Sequence, residues 1–176
     1  MTDKDSGGFD IELSAAVLKS GVEIEKFGID FYTHLSKCVR DETGAALLRS
    51  LAGDEKYHKE MLEKELSRLA KSYNVDGVEP LEEYVGVIPD KVFMPPPNGC
   101  LTLSDTISAL EKGIQVEINS IKMYDEAAEK VQEKKVRGTL QALGKWEVKH
   151  RELLEENLRL LRSEGVWYGY GPILDG

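Results

Sequence analysis

The chain has 176 residues, enough for one domain whose core needs no disulfide staples. Its net charge of -9 makes nucleic acid and anionic membranes poor partners. No apolar run approaches the ~18 residues of a membrane span. Cys38 and Cys100, the two cysteines, supply neither a zinc knuckle nor a four-cysteine iron site. With a polar, acidic N-terminus, they fit a cytoplasmic protein.

A helical period runs first over about 11–39, with Val17, Leu18, Ile24, Phe31, Tyr32 and Leu35 on its apolar stripe. Asp41-Glu42-Thr43-Gly44 reads as a short turn. A second helix follows over about 45–70, with Leu47, Leu48, Leu51, Leu62, Leu66 and Leu69 on its stripe. The pattern then breaks. Gly77, Pro80, Gly86, Pro89 and the run Pro95-Pro96-Pro97-Asn98-Gly99 allow no long helix, only a turn over Leu81 to Val85. A third helix is expected from about Leu103, with Ser104 as its N-cap, to about Val131. A fourth runs over about 135–163 and stops at Gly165. The aromatic, glycine-rich tail Trp167-Tyr168-Gly169-Tyr170-Gly171-Pro172 is expected to fold back onto the body. The expectation is a single domain over 1–176: hairpin one at about 11–70, a crossover at about 71–101, hairpin two at about 102–163 and a tail at 164–176.

The two hairpins repeat each other. Glu25, Glu55 and His58 recur 92 residues later as Glu117, Glu147 and His150. Each second Glu opens an E-x-x-H, and each first Glu is followed seven residues later by a tyrosine, Tyr32 or Tyr124. Gly21/Gly113, Leu48/Leu140, Leu51/Leu143 and Leu62/Leu154 match without a gap. Shared leucines are expected of any two amphipathic helices. Shared Glu, His and Tyr point to chemistry. The fold expected is all-α: a four-helix bundle made of two hairpins joined by a long crossover.

Residues i and i+3 share a helix face about 4.5 Å apart along the axis, so each E-x-x-H can reach one metal ion. The midpoint of Glu25 and Glu55 is residue 40, at a turn. Both carboxylates then sit ~22 Å from that turn, at one level. Glu117 and Glu147 give the same result about residue 132. All six groups fall in one layer if the hairpins pack face to face. Buried unpaired carboxylates cost several kcal/mol each, and two divalent cations would neutralise four of them. Oxygen-rich sites with one imidazole per ion suit two iron ions, with manganese or zinc as alternatives.

Ile24-Glu25-Lys26-Phe27-Gly28-Ile29-Asp30-Phe31-Tyr32 and Leu51-Ala52-Gly53-Asp54-Glu55-Lys56-Tyr57-His58 resemble the rubrerythrin-like branch of the ferritin-like di-iron carboxylate superfamily. The second half repeats the pattern with Glu117, Tyr124, Glu147 and His150, and the likeness spans about 11–163. The resemblance implies a ferritin-like bundle with Glu25, Glu55, His58, Glu117, Glu147 and His150 as metal ligands. Glu55 and Glu147 would be the bridges, and the four glutamates would be the catalytic groups. It implies an oxidoreductase that reacts with peroxide or dioxygen in oxidative-stress defence. Full-length rubrerythrins carry a four-cysteine rubredoxin domain that these two cysteines cannot make, so the electron donor would be a separate protein. The alternatives are a ferroxidase or iron-handling protein and a non-redox metal-binding scaffold. A homodimer is the default assembly for a bundle of this size.

Tyr32 and Tyr124 either hydrogen-bond a ligand carboxylate on a facing helix or sit in the core with the hydroxyl satisfied elsewhere. In related di-iron bundles an Asp at the position of Asp54 holds the ring N–H of the opposite hairpin's His. By that analogy Asp54 supports His150, although a surface Asp is the other reading, and its repeat counterpart is Trp146. His34 is out of phase with Glu25 and should face away. Gly28 and Ser120 are small residues on the metal face. They leave space for an oxidant or ion, or they simply allow close packing. Rubrerythrins carry a seventh carboxylate near the site, whereas here Ile114 and Ser120 flank Glu117.

Overall fold

The computed structural model describes residues 3–75, 77–86, 88 and 101–169, with the backbone alone for 3–9. The helices are α1 (Asp3–Cys38), α2 (Glu42–Tyr73), the single-turn α3 (Glu82–Val85), α4 (Leu103–Lys130) and α5 (Lys134–Glu164). Among the described residues there is no strand. Among those residues no helix is long and apolar enough to cross a membrane.

Helix ends follow local chemistry, and three expectations need correction. First, α1 begins at Asp3, about two turns before residue 11. Second, Asp41 to Gly44 is not a free turn. Asp41 is the N-cap of α2, and its carboxylate accepts from the Gly44 N–H at 3.0 Å. Third, Ser104 lies inside α4, and the N-cap is Thr102. The Thr102 hydroxyl accepts from the Asp105 N–H at 3.1 Å, while Asp105 accepts from the Thr102 N–H at 3.1 Å. This reciprocal box satisfies two donors that a helix start leaves open. Gly165 ends α5 as expected, in the left-handed region at φ 70.

Helices α1 and α2 pack along one another, as do α4 and α5; the hairpins then meet through α1 with α4 and α2 with α5. Tyr32 reaches Glu117 and Tyr124 reaches Glu25, so α1 and α4 run antiparallel. His58 lies by Glu147 and His150 by Glu55, so α2 and α5 are antiparallel too. This is the ferritin-like order, which only a long crossover between α2 and α4 can make.

That connection is tied to the bundle. The Leu81 N–H donates to Ser20 Oγ at 2.8 Å, and Lys19 donates to the Val78 carbonyl. Tyr84 of α3 is buried, and Lys130 donates to its hydroxyl at 2.9 Å. The Leu101 N–H donates to the Cys38 carbonyl at 2.9 Å, fixing the return to hairpin two. The proline run at 95–97 lies outside the described residues.

The apolar core is split. One cluster includes Leu18, Leu62, Leu69, Met123, Leu140 and Leu143. The other includes Phe31, Leu35, Leu47, Leu51, Leu110 and Leu154. Between these clusters lies a layer of buried ionisable groups.

Candidate metal centre

The repeat explains the layer. Glu25 on α1 and Glu117 on α4 face inward from the middle of their helices. Glu55 with His58 on α2 and Glu147 with His150 on α5 do the same. The exposures are 2% for Glu25, 3% for Glu55, 1% for Glu117 and Glu147, and 0% for both histidines. At equal distance from their turns, these residues have no solvent side to choose.

The Nδ1 atoms of both histidines point at carboxylates. His58 Nδ1 lies 3.0 Å from Glu55 Oε2 and 3.0 Å from Glu147 Oε1. His150 Nδ1 lies 3.4 Å from Glu55 Oε1 and 3.2 Å from Glu147 Oε2. Each of these carboxylates therefore straddles both imidazoles, one oxygen to each. The rings stack with centroids 5.3 Å apart. Potential ligand atoms of Glu55, His58, Glu147 and His150 all lie within 4.8 Å of one another.

Glu25 and Glu117 flank this group. Glu25 Oε2 is 3.7 Å from His58 Nδ1. The Tyr124 hydroxyl donates to Glu25, and the Tyr32 hydroxyl donates to Glu117. Both tyrosines are fully buried. The paired glycines Gly21 and Gly113 allow close packing beside them: a Cβ on Gly21 would stand 3.0 Å from Leu62 Cδ1, and one on Gly113 would stand 3.2 Å from the Phe31 ring.

Electrostatics follow from crowding. Burial, then the charges of Glu147 and Glu55, push Glu25 well above the usual carboxylate range. Burial, then Glu55 and Glu147, do the same to Glu117. Burial pushes Glu55 up as well, as does Glu147, but His150 and His58 outweigh both and hold it low. Burial also opposes ionisation of Glu147, yet the same two imidazoles hold it low. Burial favours neutral His58, but the adjacent carboxylates of Glu147, Glu25 and Glu55 outweigh it and raise its pKa to about 12. His150 is likewise raised against burial, chiefly by the charge of Glu55. Burial and the adjacent carboxylates hold both phenols protonated as donors.

The surroundings of the two histidines differ. Asp54 Oδ2 stands 3.5 Å from His150 Nε2, at ion-pair distance but outside hydrogen-bond geometry. Trp146 meets the His58 ring at an edge, with centroids 5.8 Å apart and planes at 62°. His58 Nε2, His150 Nε2 and Glu147 Oε1 are buried without a hydrogen-bond partner. Such atoms are rare in native interiors and call for an occupant or an adjustment on binding.

The remaining expectations resolve as follows. His34 Nδ1 lies 2.6 Å from the Asp30 carbonyl of its own helix, away from the cluster. A Cβ on Gly28 would lie 3.1 Å from Glu55 Cγ, so the space at Gly28 is taken by the Glu55 side chain rather than left open. Ser120 is buried and donates to the Val116 carbonyl of its own helix at 3.1 Å. Asn157 was missed. It is fully buried, and its Oδ1 accepts from the Tyr168 N–H at 3.0 Å and the Gly169 N–H at 3.3 Å. With Trp167 against Gly44, it folds the start of the tail back; residues 170–176 lie outside the described set.

The donor set fits metal: imidazole and carboxylate atoms converge at short range inside a buried layer. Fold and site together define a ferritin-like bundle with a buried Glu/His centre compatible with two metal ions. The Rubrerythrin family model matches residues 16–158, and the chain belongs to that family. No curated protein sequence matches the chain. A solved structure of a hypothetical protein from Pyrococcus furiosus is similar at a TM-score of 0.67 and 20% identity, over 85% of this chain and 90% of that one. That likeness bears on the fold alone.

Proposed function

We propose that the chain is a di-iron oxidoreductase that reacts with peroxide or dioxygen in oxidative-stress defence, re-reduced by a separate electron-donor protein. The observation that supports this most is the double straddle: Glu55 and Glu147 each set one oxygen toward each imidazole nitrogen. Carboxylates so placed suit a bridging role between two ions. Glu25 with His58 would complete one half, and Glu117 with His150 the other. Bound iron supplies electrons to the oxidant; manganese or zinc would satisfy the same donors.

The chain's own residues do the rest. The apolar clusters on either side keep bulk water from the layer. Tyr32 and Tyr124 hold Glu117 and Glu25 by their hydroxyl protons, fixing the carboxylates at the flanks. With metal bound, the imidazoles would offer Nδ1 inward and keep their one proton on Nε2.

The test is anaerobic loading with ferrous iron, then addition of peroxide or dioxygen with a supplied reductant. Multiple turnovers and an iron absorption band that appears and fades are expected. Retained ferric mineral without turnover would mark an iron-handling protein instead. Metal binding with neither would mark a non-redox scaffold.

A further inference from the structure

We infer that the two halves of the centre are unequal, and that the ion beside His150 binds first and ten- to a hundredfold more tightly. This rests on the metal-centre reading above and adds an order of filling to it. The 92-residue repeat duplicates the ligands but not their support. Where hairpin one has Asp54, hairpin two has Trp146.

An imidazole that binds metal through Nδ1 carries its proton on Nε2. In one half, Asp54 Oδ2 stands 3.5 Å from that atom of His150. This partly exposed carboxylate thus stands at ion-pair distance from the outer nitrogen of that ring. In the other half, the ring beside His58 is the Trp146 indole. Indole is a donor only and cannot accept the proton. Lys149 Nζ lies 4.8 Å over the same indole, a second hold on its position. Both Nε2 atoms are buried without a hydrogen-bond partner, but only His150 Nε2 has a carboxylate at ion-pair distance. A carboxylate on the outer nitrogen fixes the ring and makes it a better donor, and losing one costs 10–100-fold in affinity. The other features repeat in kind: each half has its tyrosine-held glutamate and an oxygen from each straddling carboxylate, with Glu25 also 3.7 Å from His58 Nδ1. The difference between Asp54 and Trp146 therefore sets the order.

Cobalt(II) is a suitable probe. In a crystal of the full chain loaded with one equivalent, anomalous scattering should fall beside His150. Equal occupancy, or filling beside His58 first, would overturn the inference. Calorimetry should resolve two binding steps. Asp54→Asn should weaken the first at least tenfold and the second less than threefold, while Trp146→Phe leaves the first within threefold. Equal weakening of both steps by Asp54→Asn would also overturn it. If that variant does not fold, the scattering result on the unaltered chain decides alone. Cobalt that does not bind at all defeats the metal-centre reading and this inference with it. Two ions bound with equal affinity defeat the inference only.

Discussion

Two phenol hydroxyls keep two buried carboxyls satisfied. Tyr124 donates to Glu25 and Tyr32 to Glu117 across the hairpin interface. Tyr32→Phe or Tyr124→Phe leaves its partner carboxyl without that donor and should cost about 1–3 kcal/mol in the metal-free protein. Denaturant unfolding measures this, and the two variants should agree because their settings are repeats. A negligible loss in both would show that the hydroxyls are dispensable. Proton counting gives a second residue-scale prediction. In the metal-free centre burial and crowding favour the protonated forms of Glu25 and Glu117, and the carboxylates favour charged imidazoles. Divalent ions favour ionised carboxylates and neutral imidazoles, so loading should release protons and strengthen as pH rises.

The metal-free protein should show the opposite trend. The raised histidines contribute stability that is whole below their ordinary 6.5 and fades as pH climbs, toward about 12 for His58. The raised Glu25 and Glu117 contribute below their ordinary 4.5 and also fade as pH rises. Glu55 and Glu147, held low, contribute above 4.5 and lose that only as pH falls. From about pH 6 to about pH 9 the metal-free melting temperature should drop, while the gain from added metal grows. A metal-free melting temperature that rises over this window would contradict the charge assignment.

At the scale of elements, the helix periods and the two turns were legible because leucines mark every stripe. The ends were less so. The stretch before Ile11 carries no apolar period, so nothing in it announced the extra turns of α1. Thr102 and Asp105 do spell a capping box, but the more proximal Ser104 drew the assignment. Asn157 gives no sequence signal, since its role depends on where the tail returns. Glycines separate two mechanisms here. A Cβ at Gly138 meets nothing within 4 Å, so Gly138→Ala should stabilise α5 by about 0.5–1 kcal/mol. A Cβ at Gly44 would collide with the Trp167 ring. Gly44→Ala should cost about 1–3 kcal/mol and move Trp167 toward water, shifting its fluorescence to the red. Thermal melts and emission spectra of the two variants check both signs. An unchanged spectrum in Gly44→Ala would mean that Trp167 does not rest there.

At the scale of the molecule, the duplication was the most legible feature. Equal spacing of Glu25 and Glu55 about one turn, and of Glu117 and Glu147 about another, put the six groups in one layer. The antiparallel contacts of α1 with α4 and α2 with α5 bring those groups together across a pseudo-two-fold. The reciprocal hydrogen bonds were not derivable from spacing alone, because they depend on how closely the hairpins approach. At Gly21 and Gly113 a side chain would press on Leu62 and on Phe31, so both positions favour close packing. The straddling carboxylates also order the effect of substitutions. Glu55→Gln and Glu147→Gln should lose more metal than Glu25→Gln or Glu117→Gln, since each straddles both imidazoles; equal losses by elemental analysis would count against bridging.

The central claim is that one chain holds two ions at a single layer of Glu25, Glu55, His58, Glu117, Glu147 and His150. Its most direct test is the metal content of the folded protein after anaerobic iron loading and gel filtration. The account predicts about two iron ions per chain, retained in the unaltered protein and lost in a variant carrying both Glu55→Gln and Glu147→Gln. No retained iron in a folded, loaded chain, or the same content in the double variant, would contradict it.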